Sequence, residues 1–448
     1  MFGLPKDFKN KLHNILSVMV PIFITQLTIL GMNFFDTVMS GHASANDLAG
    51  VAMGANLWMP IFTGINGILL ALVPIIAHLR GAKNEADLPK AVFNGIFLAI
   101  VIGLTVIGSG YLFLNRIFDL MSLTPIVRSI AVDYLQAISL GIIPLFITTI
   151  LRSFVDTMGF THMTMRLFLL TLPVNVCLNY ILIFGKLGAP RLGGVGAGYA
   201  TAITCWLILL AFVVLIKRFD CLSRYKVFTM YLPSWKRVKE HLFIGLPMGT
   251  AIFFETSIFG VVAFFMSKFG TETIAAHQAA LNFTSLLYML PLSFSLTLTI
   301  LVGTEVGAKR YDEAVAYSRT GIISNWFVAG CFVILLLLFR EYIGMLYGAQ
   351  GHIMELTKHF LFYAAFFQLL DATAAPIQGV LRGYKDVKVP FYISLVSYWV
   401  ICLPSGILLD IYFGQGPYGY WQGLIVGILF SAGMLVLRLK KIQRKFQI

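Results

Sequence analysis

Three carboxylates interrupt otherwise apolar runs. Residues 242–266, LFIGLPMGTAIFFETSIFGVVAFFM, are almost unbroken hydrocarbon with Glu255 near the middle. Asp371 sits likewise in FFQLLDATAAPIQGVLRG, and Asp36 in GMNFFDTVMSG. An acid at membrane depth costs roughly 2.5 kcal/mol or more, so such residues face a partner or a cavity and mark ion paths. Each can be neutralised by a proton, by a dehydrated Na⁺ that other oxygens help to hold, or by an organic cation. One acid that cannot hold two of these at once exchanges one for another. The candidate helpers at Glu255 and Asp371 are Asn282, Tyr363, Thr250 and Thr256. Asn175 and Asn179, in LPVNVCLNYILI, are i and i+4 and share one helix face. With Asp36 and Thr201 they predict a second oxygen-rich cation site. Na⁺ is therefore a candidate at Glu255 with Asp371, and at Asp36 with Asn175 and Asn179.

The elements that must position these groups are spans. At about 1.5 Å per residue, the run around Glu255 crosses a ~30 Å hydrocarbon layer with some tilt. The chain of 448 residues is 58% hydrophobic and 12% charged, with mean hydropathy +0.85. That composition excludes a soluble domain of this size, and the long apolar runs exclude a membrane barrel. An all-α polytopic protein follows. Twelve spans are expected, near 14–40, 47–79, 91–113, 126–152, 165–185, 194–217, 241–267, 273–305, 314–340, 353–381, 389–411 and 419–439. The N-terminus runs from a basic arm into a long apolar segment without a small-residue cleavage site, as a retained first span does.

The formal charge of +13 first suggests nucleic acid, but its distribution argues otherwise. On twelve spans with both ends inside, seven of the 33 basic residues fall on the outer side: Arg116, Arg128, Lys186, Arg191, Lys268, Arg340 and Lys358. The remaining 26, counting Arg152 and Arg382 as loop charges, fall on the cytoplasmic side. The charge thus reports topology, with both termini cytoplasmic and no nucleic-acid partner. The cysteines Cys177, Cys205, Cys221, Cys331 and Cys402 form no C-x-x-C, which disfavours a disulfide or metal framework.

The chain repeats weakly. At the spacing that separates Pro21 from Pro247, Asn56 meets Asn282, Gly81-Ala82-Lys83 meets Gly307-Ala308-Lys309, and Gly95-Ile96 meets Gly321-Ile322. Two pseudo-symmetric six-helix lobes around a central cavity are expected, at 1–217 and 241–448, with 218–240 as a basic cytoplasmic linker. The acids do not repeat: Asp36 faces Val262, Glu255 faces Ile29 and Asp371 faces Leu145. Each lobe should have its own ion chemistry. No P-loop, H-E-x-x-H or nucleophile elbow occurs, so neither an enzyme nor a nucleotide-driven pump is indicated.

PIFITQLTILGMNFFDTVMSG at 21–41, FGTETIAAHQAALNF at 269–283 and GVLRGYKDVKVPFYISLVSYWVICLP at 379–404 carry a resemblance that runs nearly end to end. The chain resembles the multidrug and toxic compound extrusion (MATE) family, in its NorM-type branch. The resemblance implies two six-span lobes and export of amphipathic organic cations by antiport with Na⁺ or H⁺. It places Glu255 and Asp371 at the branch's acids in spans seven and ten, and Asp36 at the first-span acid. Asn179 stands where another branch has an acid. A monomer in the bacterial plasma membrane is implied, contacting lipid, with no organic cofactor and no obligate protein partner. The alternative is a flippase or exporter of a lipid-linked or other amphipathic metabolite in the same superfamily. Such cargo is anionic and calls for a basic cavity.

Overall fold

The computed structural model describes residues 7–119, 121 and 123–446. Among them there is no strand, and twelve helices are long and apolar enough to cross a membrane. We number them α1 (Phe8–Ala43), α2 (Ala45–Gly81), α3 (Glu85–Asp119), α4 (Pro125–Thr157), α5 (Thr161–Phe184), α6 (Gly194–Arg218), α7 (Trp235–Phe269), α8 (Thr271–Gly307), α9 (Tyr311–Leu346), α10 (Gly351–Gly383), α11 (Lys388–Ile411) and α12 (Pro417–Phe446). All twelve expected spans are present. Most run several residues further than hydropathy suggested, because helix geometry continues into polar turns that periodicity cannot see. Local chemistry sets some of the ends. The Ser44 side chain accepts from the Asp47 N–H at 3.0 Å and starts α2. Gly185, at φ 66°, ends α5 in the left-handed conformation that glycine tolerates.

The helices divide into two compact units. The N-terminal unit comprises 24–80 and 84–249; the C-terminal unit comprises 1–23, 81–83 and 250–448. The cuts fall inside α1 and α7, close to Pro21 and Pro247, rather than at 217 and 240. The two cuts are themselves separated by the repeat spacing. The stretch expected to be a separate linker is packed onto the N-terminal unit. The Ser234 N–H donates to Asn94 Oδ1 at 2.8 Å, Arg237 pairs with Asp87 at 2.7 Å, and Tyr225 meets Phe154 edge-on. The segment 81–83 clusters with the C-terminal unit because Gly81 lies directly on the backbone of Thr304–Ala308, where any Cβ would collide.

Each unit repeats one internal plan. In the N-terminal unit α4 is central and packs on α2, α3 and α6; in the C-terminal unit α10 is central and packs on α8, α9 and α12. These are the two most buried spans, at 67% each. Close backbone approach makes this possible. A Cβ on Gly141 of α4 would lie 2.8 Å from Ala202 Cα of α6, and one on Gly379 of α10 would strike the Ser295 carbonyl of α8. Small residues at such crossings let membrane helices gain packing energy without a hydrophobic driving force. The turns repeat as well. Lys83 and Lys309 both take positive φ (55° and 59°), as do Gly159 and Lys385 (95° and 57°), and each pair is separated by the same spacing. A shared left-handed turn is a stronger sign of duplication than the weak sequence identity.

Candidate functional site

The C-terminal unit builds its site on α7, α10 and α11. Glu255 is half-buried on α7. Its Oε1 accepts from Gln378 Nε2 of α10 at 2.6 Å and from Ser394 Oγ of α11 at 2.7 Å. Gln378 Oε1 in turn accepts from Arg382 Nη2 at 3.2 Å, one turn further along α10. Asp371 is buried on the same helix, within electrostatic reach of Glu255, and its Oδ2 has no hydrogen-bond partner among the described residues. Tyr288 of α8 and Tyr398 of α11 feel both carboxyl groups. Tyr398 lies in the seven-residue π-helical segment Val396–Cys402. Such widened turns rotate a side chain off the regular helix register and recur at working sites.

The N-terminal unit builds a different cluster on α1, α5 and α6. Asp36 Oδ1 accepts from Asn179 Nδ2 at 2.5 Å, and Oδ2 accepts from Thr201 Oγ1 at 2.9 Å. Asn179 Nδ2 also donates to Asn175 Oδ1 at 3.2 Å, and Asn175 Nδ2 donates to Thr204 Oγ1 at 3.4 Å. All but Thr201 are buried, and Asn179 Oδ1 is left without a partner among the described residues. Both carboxylate oxygens of Asp36 are thus held by neutral donors, a geometry that suits the ionised form and leaves the charge uncompensated.

The structure therefore brings together Asp36, Asn175, Asn179 and Thr201, and places Glu255 and Asp371 in one cluster. It does not bring the other expected helpers to them. Tyr363 lies two helical turns before Asp371, about 12 Å along the axis, and its hydroxyl accepts from Gln422 at 3.1 Å. Asn282 is exposed and takes no part in the Glu255 network. The Thr256 hydroxyl donates back to the Ile252 and Phe253 carbonyls of its own helix, as threonines in spans do. The two bonds to Glu255 Oε1 come from Gln378 and Ser394, not from Thr250. Sequence reasoning misses Gln378, Arg382 and Ser394. Gln378 and Arg382 follow Asp371 at i+7 and i+11, so a helical-face reading from Asp371 finds both. Ser394 has no signal, because only folding brings α11 to α7. Arg382 and Arg152, taken as loop charges from sequence, lie inside helices. Arg382 is 9% exposed, and Arg152 joins Asp156 (3.3 Å) to Gln26 (3.0 Å).

Comparisons agree with this architecture. The MatE family model matches twice, at residues 21–181 and 247–408, and the two matches begin one repeat spacing apart. A "Probable multidrug resistance protein NorM" from Halalkalibacterium halodurans is 53% identical over 436 residues, covering 96% of this chain and 94% of that one. The protein of the same name from Bacillus subtilis is 48% identical over 446 residues, covering 98% of both. Among solved structures, the eukaryotic MATE transporter AtDTX14 superposes with a TM-score of 0.89 at 19% identity, covering 98% of each chain. An outward-facing multidrug resistance MATE family transporter of the MOP superfamily gives 0.88 at 18%, covering 99% of each. At such identities the structures speak for the fold. The doubled family match and the full-length relatives speak for the lineage, and the chain belongs to the MatE family of membrane transporters.

Proposed function

We propose that this protein exports amphipathic organic compounds, mostly cations, from the cell by alternating access, in antiport with Na⁺ or H⁺. The observation that carries the reading is that Glu255 of α7 is hydrogen-bonded to α10 and lies within electrostatic reach of Asp371 on that helix, whose Oδ2 has no partner among the described residues. A charged group kept inside a span without a full set of partners is costly unless it binds something that the protein moves. The relatives named as multidrug resistance proteins point the same way. Asp36 with Asn175, Asn179 and Thr201 is the second ion site, and Asn179 Oδ1 offers an oxygen to a bound cation there. The coupling ion is the only cofactor in this scheme, and the chain acts alone in the lipid bilayer. With Arg152 and Arg382 removed from the loop count, 24 basic residues still oppose seven. That bias supports both termini being cytoplasmic, and the bacterial relatives support a place in the bacterial plasma membrane.

The test is efflux of a cationic dye from membrane vesicles under separately imposed Na⁺ and pH gradients. One gradient alone should drive export, which identifies the ion. Glu255→Gln and Asp371→Asn should each abolish coupled export while leaving the protein folded; full export by both variants sinks the reading.

A further inference from the structure

Within the C-terminal cluster, Arg382 is the component that cation exchange does not explain. A guanidinium attracts no cation, and burying one beside a cation site weakens that site. Yet it is 9% exposed, and it hydrogen-bonds through Gln378 to the acid itself. Arg382 and Glu255 also act on each other electrostatically. A topogenic loop arginine would be solvated.

Formal charge gives the reason. With both carboxylates ionised, Glu255 and Asp371 supply two negative charges and Arg382 removes one. The remaining polar groups around them, Ser394 from α11 and Gln378 from α10 by hydrogen bond and Tyr288 from α8 and Tyr398 from α11 within electrostatic reach, carry no formal charge. The N-terminal unit reaches the same value by another route. Its cluster holds a single acid, Asp36. At the α4 positions one repeat spacing before Gln378 and Arg382 stand Arg152 and Asp156, which pair with each other at 3.3 Å and cancel. An uncompensated charge in a low-dielectric interior is expensive, so a site takes up counter-charge until it is close to neutral. We propose that Arg382 is a fixed internal counter-charge that brings the Glu255–Asp371 site, with both carboxylates ionised, to one net negative charge, matching it to one monovalent cation at a time, whether coupling ion or cargo. Arginine suits the task because it does not give up its proton, so its own positive charge stays fixed whatever the two carboxyl groups bind. The inference rests on the reading of Glu255 and Asp371 as the exchange site.

The test uses the full-length purified protein and two dyes that share a phenanthridinium core, ethidium with one positive charge and propidium with two. The wild type binds ethidium in preference to propidium. Arg382→Gln leaves the site with two net negative charges, and the preference shifts toward propidium by about tenfold or more. Glu255→Gln brings the site to zero and weakens ethidium by about tenfold or more; adding Arg382→Gln restores one negative charge and returns ethidium to within about threefold of wild type. That rescue stands even if Arg382→Gln alone does not fold, and a purely structural role for Arg382 does not produce it. A double variant no better than Glu255→Gln overturns the inference, as does an unchanged dye preference in a folded Arg382→Gln. If Glu255→Gln and Asp371→Asn both bind ethidium like wild type, the exchange-site reading itself has failed.

Discussion

Asp36→Asn separates charge from structure in the N-terminal site. The substitution is nearly isosteric and keeps one carbonyl oxygen to accept from Asn179, while Thr201 can turn its hydroxyl to accept from the new amide. Folding should survive. What disappears is the only formal charge among Asp36, Asn175, Asn179, Thr201 and Thr204. A cation held about 4 Å from a carboxylate at an effective dielectric near 20 gains about 4 kcal/mol, so its loss weakens binding roughly a thousand-fold. Asp36→Ala makes the contrast. It strands the Thr201 hydroxyl and one Asn179 N–H, each at a cost of about 1–3 kcal/mol, and should lose stability as well as binding. The readout is ion-dependent thermal stabilisation of purified protein carrying Glu255→Gln and Asp371→Asn, which silences the other unit. Ion at about 100 times its dissociation constant stabilises by roughly 2.7 kcal/mol, and Asp36→Asn should abolish that increment. Retention of the increment in Asp36→Asn refutes the assignment. An Asp36→Asn protein as unstable as Asp36→Ala refutes the hydrogen-bond argument.

Gly379→Val should lower the thermal midpoint of the protein, with a loss of about 1–3 kcal/mol or more, because its side chain meets the α8 backbone at Ser295; an unchanged midpoint would show that α8 and α10 can part without cost. Tyr363→Phe and Asn282→Ala should both leave ion-coupled dye export within about twofold of wild type, since neither takes part in the hydrogen bonds to Glu255. A loss of coupling in vesicle efflux would restore them to the site. Ser44→Ala removes the N-cap of α2 and should cost about 1 kcal/mol of stability with transport kinetics intact; calorimetry and dye efflux on the same preparation check both halves.

The spans were legible because their signal is local. A long apolar run can do little else in a chain of this composition. The N-terminal site was legible for a related reason: three of its members are polar groups in apolar runs, and Asn175 and Asn179 announce a shared face by spacing alone. The C-terminal site was half legible. Glu255 and Asp371 are conspicuous, but Ser394 is an ordinary serine until α11 folds against α7, and Arg382 lies near enough to a helix end to pass for a topogenic loop residue. Tyr363 was grouped with the acids because distance along a helix was ignored, and its hydroxyl meets Gln422 instead. The unit boundaries were illegible for a deeper reason. Composition marks 218–240 as a linker, but the packing cuts fall within single continuous helices, where hydropathy is featureless.

A duplicated fold need not carry duplicated chemistry, and α4 and α10 show how far the two can separate. Both are central to their units, both are the most buried spans, and each carries a polar pair four residues apart at matching places. In α4 the pair is Arg152 with Asp156, which cancel and reach Gln26 on α1. In α10 it is Gln378 with Arg382, which does not cancel and reaches Glu255 on α7. The same scaffold position has thus become a closed ion pair in one unit and an open relay to an acid in the other. The difference follows from what each partner helix offers. An amide on α1 needs a donor only, so the α4 pair can be self-contained. A carboxylate on α7 lies within reach of a second acid, and on the counter-charge proposal α10 offsets the two from the position that α4 gives to Asp156. The symmetry of the backbone fixes where polar side chains can meet, and the charge each meeting must balance fixes which residues stand there.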